Sequence, residues 1–127
     1  MNTPEDLKYS KTHEWLKIEG DTATIGITDY AQHQLTDIIF ADLPATGAHY
    51  DAGAEVGSVE SVKAVGYNYT PIAGTLTAVN EDLKRTPELL NTDPYGAWLF
   101  KLKVDEPQKT VDLMSAEEYN AYTETLG

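Results

Sequence analysis

A chain of 127 residues without cysteine can bury a core that needs no staples, and it excludes disulfides, thiolate metal sites and thiol catalysis from the polypeptide itself. With 21 acidic residues against 9 basic ones, the net charge of −12 excludes a nucleic-acid partner, because a phosphate backbone would be repelled. The same charge favours solubility and basic partner surfaces.

The N-terminus, Met1-Asn2-Thr3-Pro4-Glu5-Asp6, has neither the basic and apolar regions of a signal peptide nor the arginines of an intact transit peptide. No apolar run approaches the ~20 residues of a membrane helix, so no membrane role is expected. The expected location is the cytoplasm, with a processed organelle form as the alternative. Leu16-Lys17-Ile18 alternates, Glu19-Gly20-Asp21 turns, and Ala23, Ile25 and Ile27 follow at period two. This predicts a half-buried antiparallel pair. Asp29 is expected to cap a short helix running through Leu35, with Gln32 three residues on.

Asp37 to Leu43 contains Ile38-Ile39-Phe40-Ala41, apolar on both faces, and predicts a strand covered on both sides. Val56 to Val62 reads as a strand weakened by Gly57, and Gly66 to Thr70 as another, with Pro71 suiting an edge. Gly74 is expected to turn the chain before the alternating run Thr75 to Val79. Asn80 can cap one helical turn toward Leu83. Thr86-Pro87-Glu88 is a second cap, with proline at the first helical position, and Asn91 to Gly96 reads as loop. Trp98, Phe100, Leu102 and Val104 alternate with Lys101 and Lys103, the cleanest strand signal in the chain, which Asp105-Glu106-Pro107 ends. Ser115-Ala116-Glu117-Glu118 is a capping box for a C-terminal helix with Tyr119, Tyr122 and Leu126 on one face. Short strands with turn residues every eight to twelve positions predict a mainly β chain, a small antiparallel sandwich or flattened barrel, with residues 1–127 as one domain.

His13, His33 and His49 fall on different predicted elements, and no H-E-x-x-H helix is present, so no metal site is expected. No serine sits in a nucleophile elbow, and Gly53, Gly57 and Gly66 do not make a phosphate loop. The acid pairs Glu81-Asp82 and Glu117-Glu118 read as helix-end charges. No catalytic residue is assigned; an autonomous enzyme is disfavoured, although acid pairs assembled by folding leave no mark in sequence. Lys63 lies between two strands, with Glu60 its nearest acid and Val62 and Ala64 small and neutral. By itself it reads either as an inert exposed lysine or as an accessible site of modification.

The segments Thr12-His13-Glu14-Trp15-Leu16, Ala23 to Gln32, Val59-Glu60-Ser61-Val62-Lys63-Ala64, Pro71 to Gly74, Pro87 to Asn91, Asp93 to Gly96 and Trp98 to Lys101 occur in one order along nearly the whole chain. Together they resemble the H proteins of the glycine cleavage system. The resemblance implies a lipoyl-type barrel-sandwich hybrid of antiparallel sheets with short helices and a C-terminal helix. It implies lipoic acid in amide linkage to Lys63, with Glu60, Ser61, Val62 and Ala64 as the residues recognised by the lipoyl-attaching enzyme. A biotin carrier would have methionines where Val62 and Ala64 stand.

The implied partners are a pyridoxal-phosphate glycine decarboxylase, a tetrahydrofolate-dependent aminomethyltransferase and dihydrolipoamide dehydrogenase. The resemblance implies that the chain shuttles the aminomethyl group of glycine among them and is not itself an enzyme. The dithiolane brings the sulfur that this chain lacks. Thr12, Glu14 and Tyr67 are implied to border the cleft that shelters the loaded arm. Two positions depart from the family pattern. Gly66-Tyr67 replaces a usual Ser-Asp whose carboxylate helps to hold the aminomethyl amine, and Gly96-Ala97-Trp98 is one residue short. These departures raise an alternative, a divergent lipoyl-relay carrier serving other enzymes.

Overall fold

In the computed structural model, which describes residues 2–106 and 113–126, the turn at Gly20 joins β2 (Glu14–Glu19) to β3 (Thr22–Ile27). Gly20 takes φ +65°, a left-handed conformation that glycine adopts without steric cost. β1 (Lys8–Tyr9) pairs with the free side of β2, and β9 (Phe100–Val104) with the free side of β3. β8 (Gly74–Val79) and β5 (His49–Tyr50) complete an antiparallel six-stranded sheet in the order β1-β2-β3-β9-β8-β5. β4 (Ile38–Asp42), β6 (Glu55–Ser61) and β7 (Val65–Tyr69) form a second antiparallel sheet in the order β4-β6-β7.

The inward side chains follow from the period-two pattern. Leu16, Ala23, Ile25, Leu76, Phe100 and Leu102 of the larger sheet share one buried cluster with Ile38, Ala41, Val56 and Val59 of the smaller. Each of the leucine, isoleucine, valine and phenylalanine side chains among them contributes roughly 1.5–3 kcal/mol over leaving it in water. A second cluster of Leu7, Tyr9, Trp15, Ala116 and Tyr119 seats α4 (Ala116–Glu124) beside β1. Tyr9 and Tyr119 stack there with ring centroids 4.8 Å apart. The capping box at Ser115 and Glu118 forms as expected, but Leu126 lies beyond the helix and is exposed.

Several expectations need correction. α1 (Asp29–Leu35) is capped by Thr28, whose Oγ1 accepts from Ala31 N at 3.2 Å. Asp29 instead occupies the first turn and accepts from Gln32 Nε2 at 2.7 Å. β4 is not covered on both sides. Ile38 and Ala41 are buried, whereas Ile39 and Phe40 are 53% and 52% exposed, because the register shifts between Ile38 and Phe40. Gly74 lies within β8 and not in a turn; a Cβ there would stand 2.5 Å from Lys103 O, so glycine is what lets β8 approach β9. Trp98 precedes β9, with Lys101 Nζ 4.8 Å from its ring centroid.

Asn80 Oδ1 does accept from Asp82 N at 3.2 Å, at the start of α2 (Asp82–Arg85). α3 (Leu89–Thr92) begins later than expected, behind Glu88, so Pro87 precedes the helix and Asn91 is helical. Asn91 then ties three elements together. Its Oδ1 accepts from Ile38 N at 2.9 Å, and its Nδ2 donates to Gln32 Oε1 and Thr36 O at 3.0 and 2.8 Å. Pro71 follows β7, an edge strand, as its missing donor requires. Pro107 lies outside the described residues.

Candidate functional site

Lys63 sits at the tip of the β6–β7 hairpin, and Ser61 shapes that tip. Ser61 is buried at the end of β6, and its Oγ accepts from Lys63 N at 3.1 Å and Ala64 N at 3.0 Å. Ser61 N donates to Ala64 O at 2.8 Å, closing the turn. Val62 N donates to Asp37 O at 3.0 Å and pins the tip to the chain entering β4. Three residues in a row are thus fixed through their backbones, while the side chains of Val62, Lys63 and Ala64 stay exposed. Glu60 is exposed on the outer face, opposite Phe40 on one side and Val65 on the other. The Lys63 amine makes no ion pair among the described residues and donates to Gln34 O at 3.3 Å.

Gln34 also lines a cleft of about 300 Å3, so Lys63 touches a residue of its wall. One wall comes from α1, through Tyr30, Ala31, Gln34 and Leu35; the other comes from β7, through Gly66, Tyr67 and Asn68. Thr12 and His13 close the end of the cleft. A Cβ on Gly66 would stand 3.3 Å from Leu35 Cδ2, so a larger residue there would require Leu35 to yield. Tyr67 is 54% exposed and forms the rim. Asn68 is 4% exposed, and its Nδ2 has no hydrogen-bond partner among the described residues.

Glu14 stands behind this cleft and is only 1% exposed. Ser10 Oγ donates to its Oε1 at 2.7 Å, Thr12 Oγ1 donates to the same oxygen, and Tyr69 N donates to Oε2 at 3.3 Å. Burial pushes its carboxyl up to about 7, against the opposing pull of those three donors. Of the implied cleft residues, Thr12 and Tyr67 line the cavity, and Glu14 reaches it only through Thr12.

His13 has φ +70° and places Nδ1 2.7 Å from Tyr119 OH. Burial lowers its pKa, which favours the neutral ring. His33 faces Asp29 and His49 faces Asp105. No group of three or more potential metal-binding side chains occurs among the described residues. Glu81 and Glu118 do serve at helix ends, the first paired with Lys84 and the second in the capping box.

The cleft residues that lie outside the motif segments and the implied site residues are Gln34, Leu35 and Asn68. Two signals point to them. Tyr30, Ala31, Gln34 and Leu35 share a helical face, and Gly66 and Asn68 share a strand face.

The Glycine cleavage H-protein family profile matches residues 7–126. The glycine cleavage system H protein of Staphylococcus carnosus is 49% identical over 120 residues, covering 94% of this chain and 95% of that protein. The protein of the same name from Bacteroides thetaiotaomicron is 48% identical over 122 residues, covering 95% and 97%. The crystal structure of a glycine cleavage system H protein from Mycobacterium marinum superposes with a TM-score of 0.86 at 34% identity, covering 95% of this chain and 98% of that one. The two antiparallel sheets, the short helices and the C-terminal helix are thus those of the lipoyl-type barrel-sandwich fold. By profile, by sequence and by fold, the chain belongs to the glycine cleavage H-protein family.

Proposed function

We propose that residues 1–127 form one carrier domain of the glycine cleavage system, with lipoic acid in amide linkage to Lys63. The observation that carries this reading is the contact between Lys63 Nζ and Gln34 O at 3.3 Å. It sets the only lysine of the hairpin tip at the mouth of the cleft.

The residues present fit such a group. A backbone-fixed tip offers an exposed amine to a lipoyl-attaching enzyme, which reads Glu60, Ser61, Val62 and Ala64 around it. The cleft, walled by α1 and β7, has room for an acyl chain and holds Asn68, whose Nδ2 has no partner among the described residues. When bound, the dithiolane supplies reversible thiol–disulfide chemistry and carries an aminomethyl group between enzymes.

The chain's own residues position and shelter. Ser61 sets the tip, Thr12 and His13 close the cleft end, and Tyr67 covers the rim. Tethering a group at Lys63 raises its effective concentration at any enzyme that docks there. The chemistry itself belongs to the partners: the pyridoxal-phosphate glycine decarboxylase, the aminomethyltransferase and dihydrolipoamide dehydrogenase. The acidic surface suits basic docking sites on those enzymes. The names of the relatives favour glycine cleavage over the relay alternative. No helix among the described residues is long and apolar enough to cross a membrane, and a cytoplasmic carrier is the simplest setting.

Intact mass tests the reading. Co-expression with lipoate and a competent ligase should add one lipoyl group, and Lys63→Ala should abolish the gain. A chain left at its unmodified mass would sink the proposal.

A further inference from the structure

Asn68 is a polar residue for which the fold has no evident need. Its Nδ2 is the one buried side-chain nitrogen or oxygen without a partner among the described residues. Leaving such a group unsatisfied costs roughly 1–3 kcal/mol, and an aliphatic side chain in its place would avoid that cost. Its backbone is ordinary β7, paired opposite Gly57, so no turn or cap requires an asparagine there. The side chain lines the cleft, on the strand face that meets α1.

We propose that Asn68 is the positioning residue that holds the loaded end of the arm carried by Lys63. This rests on the carrier reading above. Lys63 and Asn68 are five residues apart, at most about 16.5 Å at ~3.3 Å per residue of extended chain. A lysine side chain extended by an eight-carbon acyl group spans about 14 Å at ordinary bond lengths. The loaded end and the Asn68 amide therefore come to the same depth of the cleft.

The carboxamide has a donor at one end and an acceptor at the other, and a half-turn about its last bond exchanges them. With Nδ2 unheld, no existing bond opposes that turn. Oδ1 can accept from a primary ammonium, and Nδ2 can donate to a sulfur or carbonyl. Tyr67 stands where the family resemblance implies an aspartate, but it is an exposed phenol and brings no charge to the cavity. Asn68, one residue on and facing the other way, offers a neutral acceptor inside.

The test uses the full 15N-labelled chain, lipoylated, reduced and loaded with ammonia and formaldehyde. In loading, the thiol, formaldehyde and ammonium condense to S–CH2–NH3+ with loss of one water. Intact mass is read first, and absence of a lipoyl gain removes the carrier reading and this inference together. With the gain present, loading should shift the Asn68 Nδ2H2 resonances. Asn68→Leu should shorten the half-life of the loaded form at least threefold, read as ammonia release, while raising the urea midpoint. Either an unmoved amide resonance or an unchanged half-life overturns the role of Asn68 and leaves the carrier standing. If Asn68→Leu does not fold, the resonances of the native chain decide alone.

Discussion

The hydroxyl of Tyr119 lies 2.7 Å from Thr28 Oγ1, the oxygen that caps α1. The same hydroxyl lies 2.7 Å from His13 Nδ1. One phenol on the C-terminal helix therefore braces two parts of the cleft, the start of its helical wall and its closed end.

Tyr119→Phe keeps the stack on Tyr9 and removes both hydrogen bonds. A loss of about 1–3 kcal/mol is expected, since Thr28 Oγ1 and His13 Nδ1 lose a buried partner. Urea unfolding should show a lower midpoint at an unchanged m-value. An unaltered midpoint would mean that α4 packs without bracing.

Glu14 makes stability depend on pH in an unusual direction for a carboxylate. Its folded pKa of about 7 lies above the ordinary 4.5, so the native state holds the proton more tightly than the unfolded chain does. The contribution is full below the unfolded pKa and is lost as pH rises through the folded one, a fall of roughly 3 kcal/mol between about pH 4.5 and 7. Glu14→Gln mimics the protonated form. Its stability advantage over the native chain should widen across that window and stay level above it. Parallel pH–stability curves for the two proteins would refute the assignment.

Ser61→Ala removes the oxygen that accepts from Lys63 N and Ala64 N. Water can reach this tip, so the stability loss should be modest, about 0.5–1.5 kcal/mol. The larger effect is expected on lipoylation. A looser tip should lower the ligase's kcat/KM by up to about tenfold, the equivalent of ~1.4 kcal/mol. An unchanged rate would show that the ligase, and not Ser61, sets the geometry.

Tyr67→Asp puts a carboxylate at the cleft rim. Tyr67 is exposed, so fold stability should move by no more than about 0.5 kcal/mol. The half-life of the loaded arm should lengthen, because an ionised acceptor binds an ammonium more strongly than a phenol does. A half-life equal to that of the native chain would place the loaded end out of reach of the rim.

Local pattern carries the elements whose rule is local. β9, the first part of β3 and β2 from Leu16 onward follow from alternation, and α4 follows from its capping box. β4 escapes this logic, because the letters Ile38-Ile39-Phe40-Ala41 carry no mark of the bulge that turns Ile39 and Phe40 outward. The hairpin tip is legible because its residues are contiguous. The cleft is not, because Gln34 and Lys63 meet across 29 positions and Tyr69 N reaches Glu14 across 55. Asn68 reads as one more polar letter in a turn-rich stretch until its burial is known.

The contact of Lys63 with Gln34 also marks the state of the molecule. Gln34 O belongs to the last turn of α1, where carbonyls lack helical partners and welcome a cation. A bare lysine meets it with a charge and three donors. Once acylated, the nitrogen keeps a single N–H and no charge. Acylation at Lys63 would therefore remove the charge with which this side chain meets the helix end.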